Sequence, residues 1–434
     1  MRHMLKIGAS SLVLRIVGLL ASFLIGIVLA RALGPADYGV YGLVTTLVAL
    51  AMTAGVLGTP QLAVRNLSVF AAARDRGAIQ SSVRQFGRAT SLASITIACA
   101  IMLVGWALTR DEPRLSALIL PAALLVPLTG WTALIAAELR GLGFLLKGQW
   151  MDVFARPALA FVLTAAWVMT GTGLRTSDAL WIQVFVAGLA ALVSWIWIRG
   201  AVRADASPSR EKTEQRPWLS AALFLMAVDL LRNLGGTYGI VMMGWLDNDV
   251  ALGLFRVAFA CNIVVALPVT ILHVIFAPKV AQLYKESRIE ELQRLLSLTS
   301  AAMVVMVLPI VIAAYLLGRP AIELVFGPEY VPSWLPLFHL CLAQLAFGAF
   351  GMGPILLSMC GRERKLLGIY AIATVAGIVA AYPLIVGYSA AGAAMAMIVS
   401  NGLIGLLSWH VGRTDLGVDS TFASLFRRRA TLTD

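Results

Sequence analysis

The chain has 434 residues, 60% of them hydrophobic and only 13% charged, with a net charge of +12 at pH 7. Soluble domains carry about 25% charged residues, so a soluble globule is excluded and the useful arithmetic counts bilayer spans of about 20 residues. The basic residues fall in short stretches between apolar segments, the bias of a multispanning protein and not the one-faced patch of a nucleic-acid binder.

Taken in order, the chain opens with Met1-Arg2-His3-Met4-Leu5-Lys6 and then an apolar run to about Ala30. That run is too long for the apolar core of a signal peptide and reads as an uncleaved first transmembrane helix. Apolar segments follow at 39–60, 89–109, 115–137, 153–171 and 179–198, making six with the first at 8–31. Six more fall at 217–245, 250–276, 296–317, 333–359, 366–386 and 389–411. Backbone groups in lipid must be paired within the segment, so these are helices; the alternation of a membrane barrel is absent. The expectation is an all-α polytopic membrane protein of about twelve transmembrane helices.

Twelve spans put both termini on one side. With that side inside, 26 of the 34 Lys and Arg residues lie in inner loops and tails, five in outer loops and three within spans. This asymmetry predicts cytoplasmic ends. Segments 70–88 and 280–295 alternate charged and apolar residues, as amphipathic surface helices or solvated loops would. The outer loops are all short, which leaves no room for an external catalytic domain; Glu323 and Glu329 are the only acids to consider there. Cys99, Cys261, Cys341 and Cys360 are scattered, as are the four histidines, so neither a disulfide framework nor a metal site is readable. No cofactor and no enzymatic activity is expected.

The two halves echo each other. Gly39-Val40-Tyr41 opens the second segment and Gly253-Leu254-Phe255 the eighth; Pro60 has a counterpart in Pro278, and Gly141 in Gly361. These offsets cluster narrowly and suggest a duplicated unit. The predicted organisation is an N-terminal six-helix bundle (1–198), a cytoplasmic linker (199–216), a C-terminal six-helix bundle (217–411) and a cytoplasmic tail (412–434). Bundles with an even number of spans insert in the same direction, so a pseudo-two-fold axis along the membrane normal is expected.

The chemistry concentrates in three arginines within apolar segments, Arg15, Arg232 and Arg256. A charge at mid-membrane costs about 2.5–3.5 kcal/mol on insertion scales and marks a functional position. Arg232 lies deepest, and Asp229, three residues earlier, is its natural helical partner. Asp229, Arg232, Asn233 and Gly236 form one helical stripe; Ser11, Arg15, Gly18 and Ser22 form another. Small residues in such stripes also serve helix packing, and Arg15 and Arg256 sit close enough to span ends to snorkel. The sharper reading is a cationic cavity for an anionic substrate formed by Arg15, Arg232, Arg256 and Asn233. Guanidinium groups bind phosphate oxygens bidentately and remain charged. Asp229 is then a counter-ion or an ion-coupling group. Gly235-Gly236 and Pro268 are places where a helix can bend or pack closely.

One stretch, Ala30-Arg31-Ala32-Leu33-Gly34-Pro35-Ala36-Asp37-Tyr38-Gly39-Val40-Tyr41, resembles the signature of the polysaccharide flippases of the multidrug/oligosaccharidyl-lipid/polysaccharide exporter superfamily. Its matching residues are Arg31, Gly34, Pro35, Tyr38, Gly39 and Tyr41. Val325-Phe326-Gly327-Pro328-Glu329-Tyr330 resembles a second signature, through Gly327, Pro328 and Tyr330, and Gly361-Arg362 a third. The resemblance implies translocation of undecaprenyl-diphosphate-linked oligosaccharide from the cytoplasmic to the periplasmic leaflet of a bacterial inner membrane. It also implies alternating access, membrane lipids as surroundings, and polysaccharide polymerase machinery as a partner. Leu14-Arg15-Ile16-Val17-Gly18 is similar to the first-helix arginine context of lipid II flippases, with Leu in place of Ser; those flippases usually have fourteen spans. A cation-coupled multidrug antiporter of the same fold is the other alternative. It often uses an acid in its first helix, and residues 8–30 contain none.

Overall fold

The computed structural model describes residues 2–204, 218–421 and 424. Among them the chain is helical throughout, without strands. It divides into two compact units, Met1–Asn233 and Leu234–Asp434.

The first unit begins with α1 (Arg2–Gly55), a 54-residue helix bent at Gly34, whose φ of 75° and ψ of 171° are not helical. Glycine has no Cβ to oppose a positive φ, and Pro35 cannot donate into the preceding turn. At 1.5 Å per residue, 54 residues are about 81 Å, enough for two crossings, and α1 contains the first two expected segments. Then come α2 (Thr59–Ala72), α3 (Arg76–Leu108) and α4 (Pro113–Gly141). α5 (Leu145–Gln149) runs through a π-helical turn (Trp150–Ala155) into α6 (Arg156–Met169), and α7 (Thr176–Ala204) closes the unit's own helices. α4 is the hub, packed against α1, α2, α3, α5 and α7. Asp75 caps α3 by accepting the Ala78 N–H at 2.9 Å.

α8 (Leu219–Leu246) crosses the boundary between the units, which falls between Asn233 and Leu234. Its first half belongs to the first unit, where Ala222 joins a core with Leu62, Leu67, Phe86 and Leu134. The second unit continues with α9 (Asp249–Val265), α10 (Leu267–Lys285) and α11 (Ile289–Phe326). A 3-10 turn (Pro328–Ser333) leads into α12 (Trp334–Ala349), then α13 (Gly353–Met359) and α14 (Glu363–Leu416). α12 packs against α9, α11 and α14. α14 is also 54 residues long and breaks at Ser389 (φ 52°), the first residue of the last expected segment.

Ten helical runs among the described residues are long and apolar enough to cross a membrane. The two bent 54-residue helices each carry two of the expected segments. The expected span at 250–276 is split between α9 and α10 at Ala266, next to Pro268. Several boundaries differ from expectation. Residues 70–88 are not one surface helix: they hold the end of α2, a short turn and the start of α3. Residues 280–295 likewise divide between α10 and α11. Gly235 of α8 packs so close to Thr374 that a Cβ would lie 2.7 Å from its Oγ1. The start of the tail is not free: Val418 is fully buried, Ser420 Oγ donates to the Phe350 carbonyl at 2.7 Å, and the Asp419 N–H donates to Gln293 Oε1 at 2.6 Å. Linker residues 205–216, Pro217 and tail residues 422, 423 and 425–434 lie outside the described residues.

Candidate functional site

The deepest expected charge pair is present. Arg232 donates from its guanidinium to Asp229 Oδ1 at 2.9 Å, one helical turn along α8. The other carboxylate oxygen accepts from Gln61 Nε2, at the start of α2. Beside it Asn233 Nδ2 donates to Thr53 Oγ1 at 2.8 Å, near the end of α1. Three elements of one unit therefore converge on the stripe: α1 through Thr53, α2 through Gln61 and α8 through Asp229. Asp229 is largely covered, with 19% of its side chain exposed, whereas Arg232 keeps 62% exposed. Asp229 thus holds one edge of the guanidinium while much of that group stays exposed.

Arg15 lies in a different neighbourhood of the same unit. It is exposed on the first arm of α1, within electrostatic reach of Arg140 on α4. Arg140 also feels Asp152, on the π-helical turn, whose carboxylate lies 4.0 Å from Arg156. Gly18 and Ser22 of the Arg15 stripe serve packing and helix geometry. A Cβ on Gly18 would lie 2.1 Å from the Val153 carbonyl oxygen, and Ser22 Oγ donates back to the Gly18 carbonyl at 2.9 Å. Arg15 and Thr53 each lie 19 residues from the bend at Gly34, about 28 Å along either arm. If both arms traverse the membrane, the two neighbourhoods lie at similar depth.

Arg256 belongs to the second unit. It is half-buried on α9, and its Nε is buried with no hydrogen-bond partner among the described residues. The expected ladder of three arginines is thus represented by two local clusters in one unit and a single group in the other. Sequence reasoning passed over Thr53, Gln61, Arg140 and Asp152. The first two are neutral, and the last two were placed at loop positions next to short predicted spans.

The motif residues are architectural. Gly34 and Pro35 form the α1 bend, and Tyr38 and Tyr41 behind it are buried with ring centroids 6.4 Å apart. Gln183 of α7 donates to Tyr41 Oη at 3.2 Å, and Arg114 of α4 pairs with Asp37. Gly39 is buried in the same turn, while Arg31 lies exposed before it. Gly327 (φ 115°) and Pro328 make the corresponding sharp turn after α11, and Tyr330 behind it is completely buried. Glu323 and Glu329 are both exposed near that turn.

These features describe a multi-pass membrane protein with polar and ionic groups built into its apolar helices. Its fold is shared with solved membrane transporters. It matches the inward-facing conformation of a multidrug resistance MATE family transporter of the MOP superfamily with a TM-score of 0.72 at 16% identity, over 92% of this chain and 95% of that one. It also matches a MATE structure in the straight conformation (TM-score 0.65, 16% identity, 95% of both chains). A MOP superfamily transporter from Pyrococcus furiosus, described as having a binding pocket of reverse polarity that suggests a different function, matches with a TM-score of 0.59 at 16% identity, over 95% of this chain and 93% of that one. No curated protein matches the chain by sequence. The family model "Polysaccharide biosynthesis protein" matches residues 5–278, more than half of the chain, and the chain belongs to that family.

Proposed function

We propose that the protein is a flippase that carries undecaprenyl-diphosphate-linked oligosaccharide from the cytoplasmic to the periplasmic leaflet by alternating access, for surface polysaccharide biosynthesis. It works in a bacterial inner membrane, with both termini cytoplasmic and two six-helix bundles as the moving parts. The observation that supports this reading best is Arg232: a mid-helix guanidinium held on one edge by Asp229 and left largely exposed on the other. A diphosphate is the group such a cation recognises. Arg15, Arg256 and Asn233 complete the substrate path in this reading, and Asp229 is the counter-ion that keeps Arg232 insertable in the empty state. Both oxygens of Asp229 are engaged by donors of its own unit, which favours the counter-ion role over an ion-coupling one.

The second reading is a cation-coupled multidrug antiporter, favoured by the names of the solved relatives. It calls for an acidic cavity. The reverse polarity described for the Pyrococcus furiosus transporter offers a precedent within the fold for a different pocket charge.

The test is complementation of a strain lacking this gene with Arg232→Ala, scoring surface polysaccharide and the membrane abundance of the variant. We expect export to fall at least about tenfold, the effect of one lost charge-assisted contact of about 1.5–3 kcal/mol, with abundance unchanged. Normal export would remove Arg232 from the path. A null strain with normal surface polysaccharide and a changed drug tolerance would replace the flippase reading with the antiporter.

A further inference from the structure

A second polar site lies on other helices of the first unit. The first half of α3 and the last turns of α4 and α7 enclose a cavity of about 840 Å³. Its rim is basic: Arg84 and Arg88, one turn apart on α3, and Arg199 on α7 are all exposed. The Arg199 guanidinium carbon lies over the Trp195 ring, 3.5 Å from its centroid. Its wall includes Trp131, whose Nε1 donates to Ser91 Oγ at 3.1 Å and ties α4 to α3. Deep in the cavity is Glu138, 2% exposed, with Oε1 buried and without a hydrogen-bond partner among the described residues. A buried acceptor left unpaired costs free energy that a ligand donor would recover.

Two apolar stripes run away from this basic rim. On α7, Phe185, Leu189, Leu192 and Ile196 are exposed at helical spacing and lead to Arg199. On α3, Arg84 and Arg88 lead to exposed Leu92 and Ile95 on the same face. Gly87, between the arginines, has open space where a Cβ would stand. Basic groups at one end and apolar tracks at the other match the division of a phospholipid into phosphate and acyl chains. Basic pockets between transmembrane helices bind lipid head groups in this way.

We propose that this cavity binds one glycerophospholipid whose headgroup carries a hydrogen-bond donor, as an ethanolamine ammonium or a glycerol hydroxyl does. The phosphate sits among Arg84, Arg88 and Arg199, the headgroup donor reaches Glu138, and the acyl chains lie along the α3 and α7 stripes. A quaternary choline headgroup has no N–H or O–H to give Glu138. The site is separate from the Asp229–Arg232 cluster and does not depend on the transport reading.

The test uses the full chain, purified and stripped of lipid, and follows its thermal midpoint on adding phosphatidylethanolamine, phosphatidylglycerol, phosphatidylcholine, or inorganic phosphate alone. A ligand that binds only the folded state raises the midpoint with concentration. The ethanolamine and glycerol lipids should raise it by several degrees, phosphatidylcholine by less than half as much, and inorganic phosphate not at all. Arg84→Gln with Arg88→Gln, both at exposed positions, should keep the lipid-free midpoint and lose at least half of the lipid shift. Glu138→Gln should narrow the difference between the choline lipid and the other two. Undiminished shifts in the double arginine variant would overturn the site. Equal shifts from phosphatidylcholine would overturn the role of Glu138, and an equal shift from inorganic phosphate would overturn the lipid.

Discussion

Asp229 and Glu138 are two acids set among apolar helices of the same unit, and they are treated in opposite ways. Asp229 receives a guanidinium from its own helix and an amide from α2. Glu138 lies deeper, faces a cavity, and has one oxygen without a donor among the described residues. The first acid is provided for by the fold and serves to hold its partner, Arg232. The second keeps one oxygen without a donor among the described residues, which is the opening the proposed lipid headgroup would fill. An acid within a span is therefore not one kind of evidence: its partners decide whether it reports on architecture or on a ligand.

The largest effect that could break this contrast comes from removing Asp229. Asp229→Leu strips Arg232 of its counter-ion and leaves the Gln61 amide without its acceptor. Breaking a fully buried pair costs about 3–5 kcal/mol; because Arg232 is mostly exposed, about 2 kcal/mol of destabilisation is expected here. Thermal unfolding of the purified variant measures it. A variant as stable as the parent would mean that Asp229 holds nothing.

Glu138 should respond with the opposite sign. In protein stripped of lipid, Glu138→Gln keeps the shape of the side chain and removes a buried acid whose Oε1 has no hydrogen-bond donor among the described residues, so stability should rise by about 1 kcal/mol. The same thermal experiment reads this out. A loss of stability would show that Glu138 already has a partner in the empty protein, and the distinction from Asp229 would collapse.

Much of the fold was legible because membrane insertion writes itself into composition. The α1 bend lies at Gly34-Pro35, between the first two expected segments, and the α14 bend at Ser389 lies at the first residue of the last one. The Asp229–Arg232 pair was legible because an i, i+3 pair needs only helix geometry. What joins it was not. Gln61 and Thr53 are neutral and distant in sequence, and only the packing of α1 and α2 on α8 brings them to Asp229 and Asn233. Glu138 escaped for a sharper reason. The apolar segment was read as ending at 137, whereas α4 carries on to Gly141. One residue's difference in a boundary turned a buried acid into an apparent loop residue. Arg140, two positions further, was misplaced by the same step, and with it the company that Arg15 keeps.

Asp419 completes the comparison from outside the membrane-spanning segments. Partial burial pushes its carboxyl upward, but the Thr421 hydroxyl and N–H and the Trp409 indole N–H, with Arg413 nearby, outweigh that and hold it below the usual carboxylate range. Like Asp229 it is served by donors from its own unit, here mostly neutral ones. A depressed folded value means that the ionised form is favoured by folding. The stabilisation is therefore present above the ordinary aspartate value of about 3.9 and is lost as the pH falls through the lower folded value. Asp419→Asn should lower the thermal midpoint slightly at pH 7, and the gap to the parent should close as the pH falls below the ordinary aspartate value of about 3.9. All three donors point at Oδ1, an acceptor that the amide keeps, so only the charge is lost and the effect should be smaller than that of Asp229→Leu. A gap that stays constant across that window would assign the tail's docking to Gln293 and Val418 instead, with the acid as a bystander.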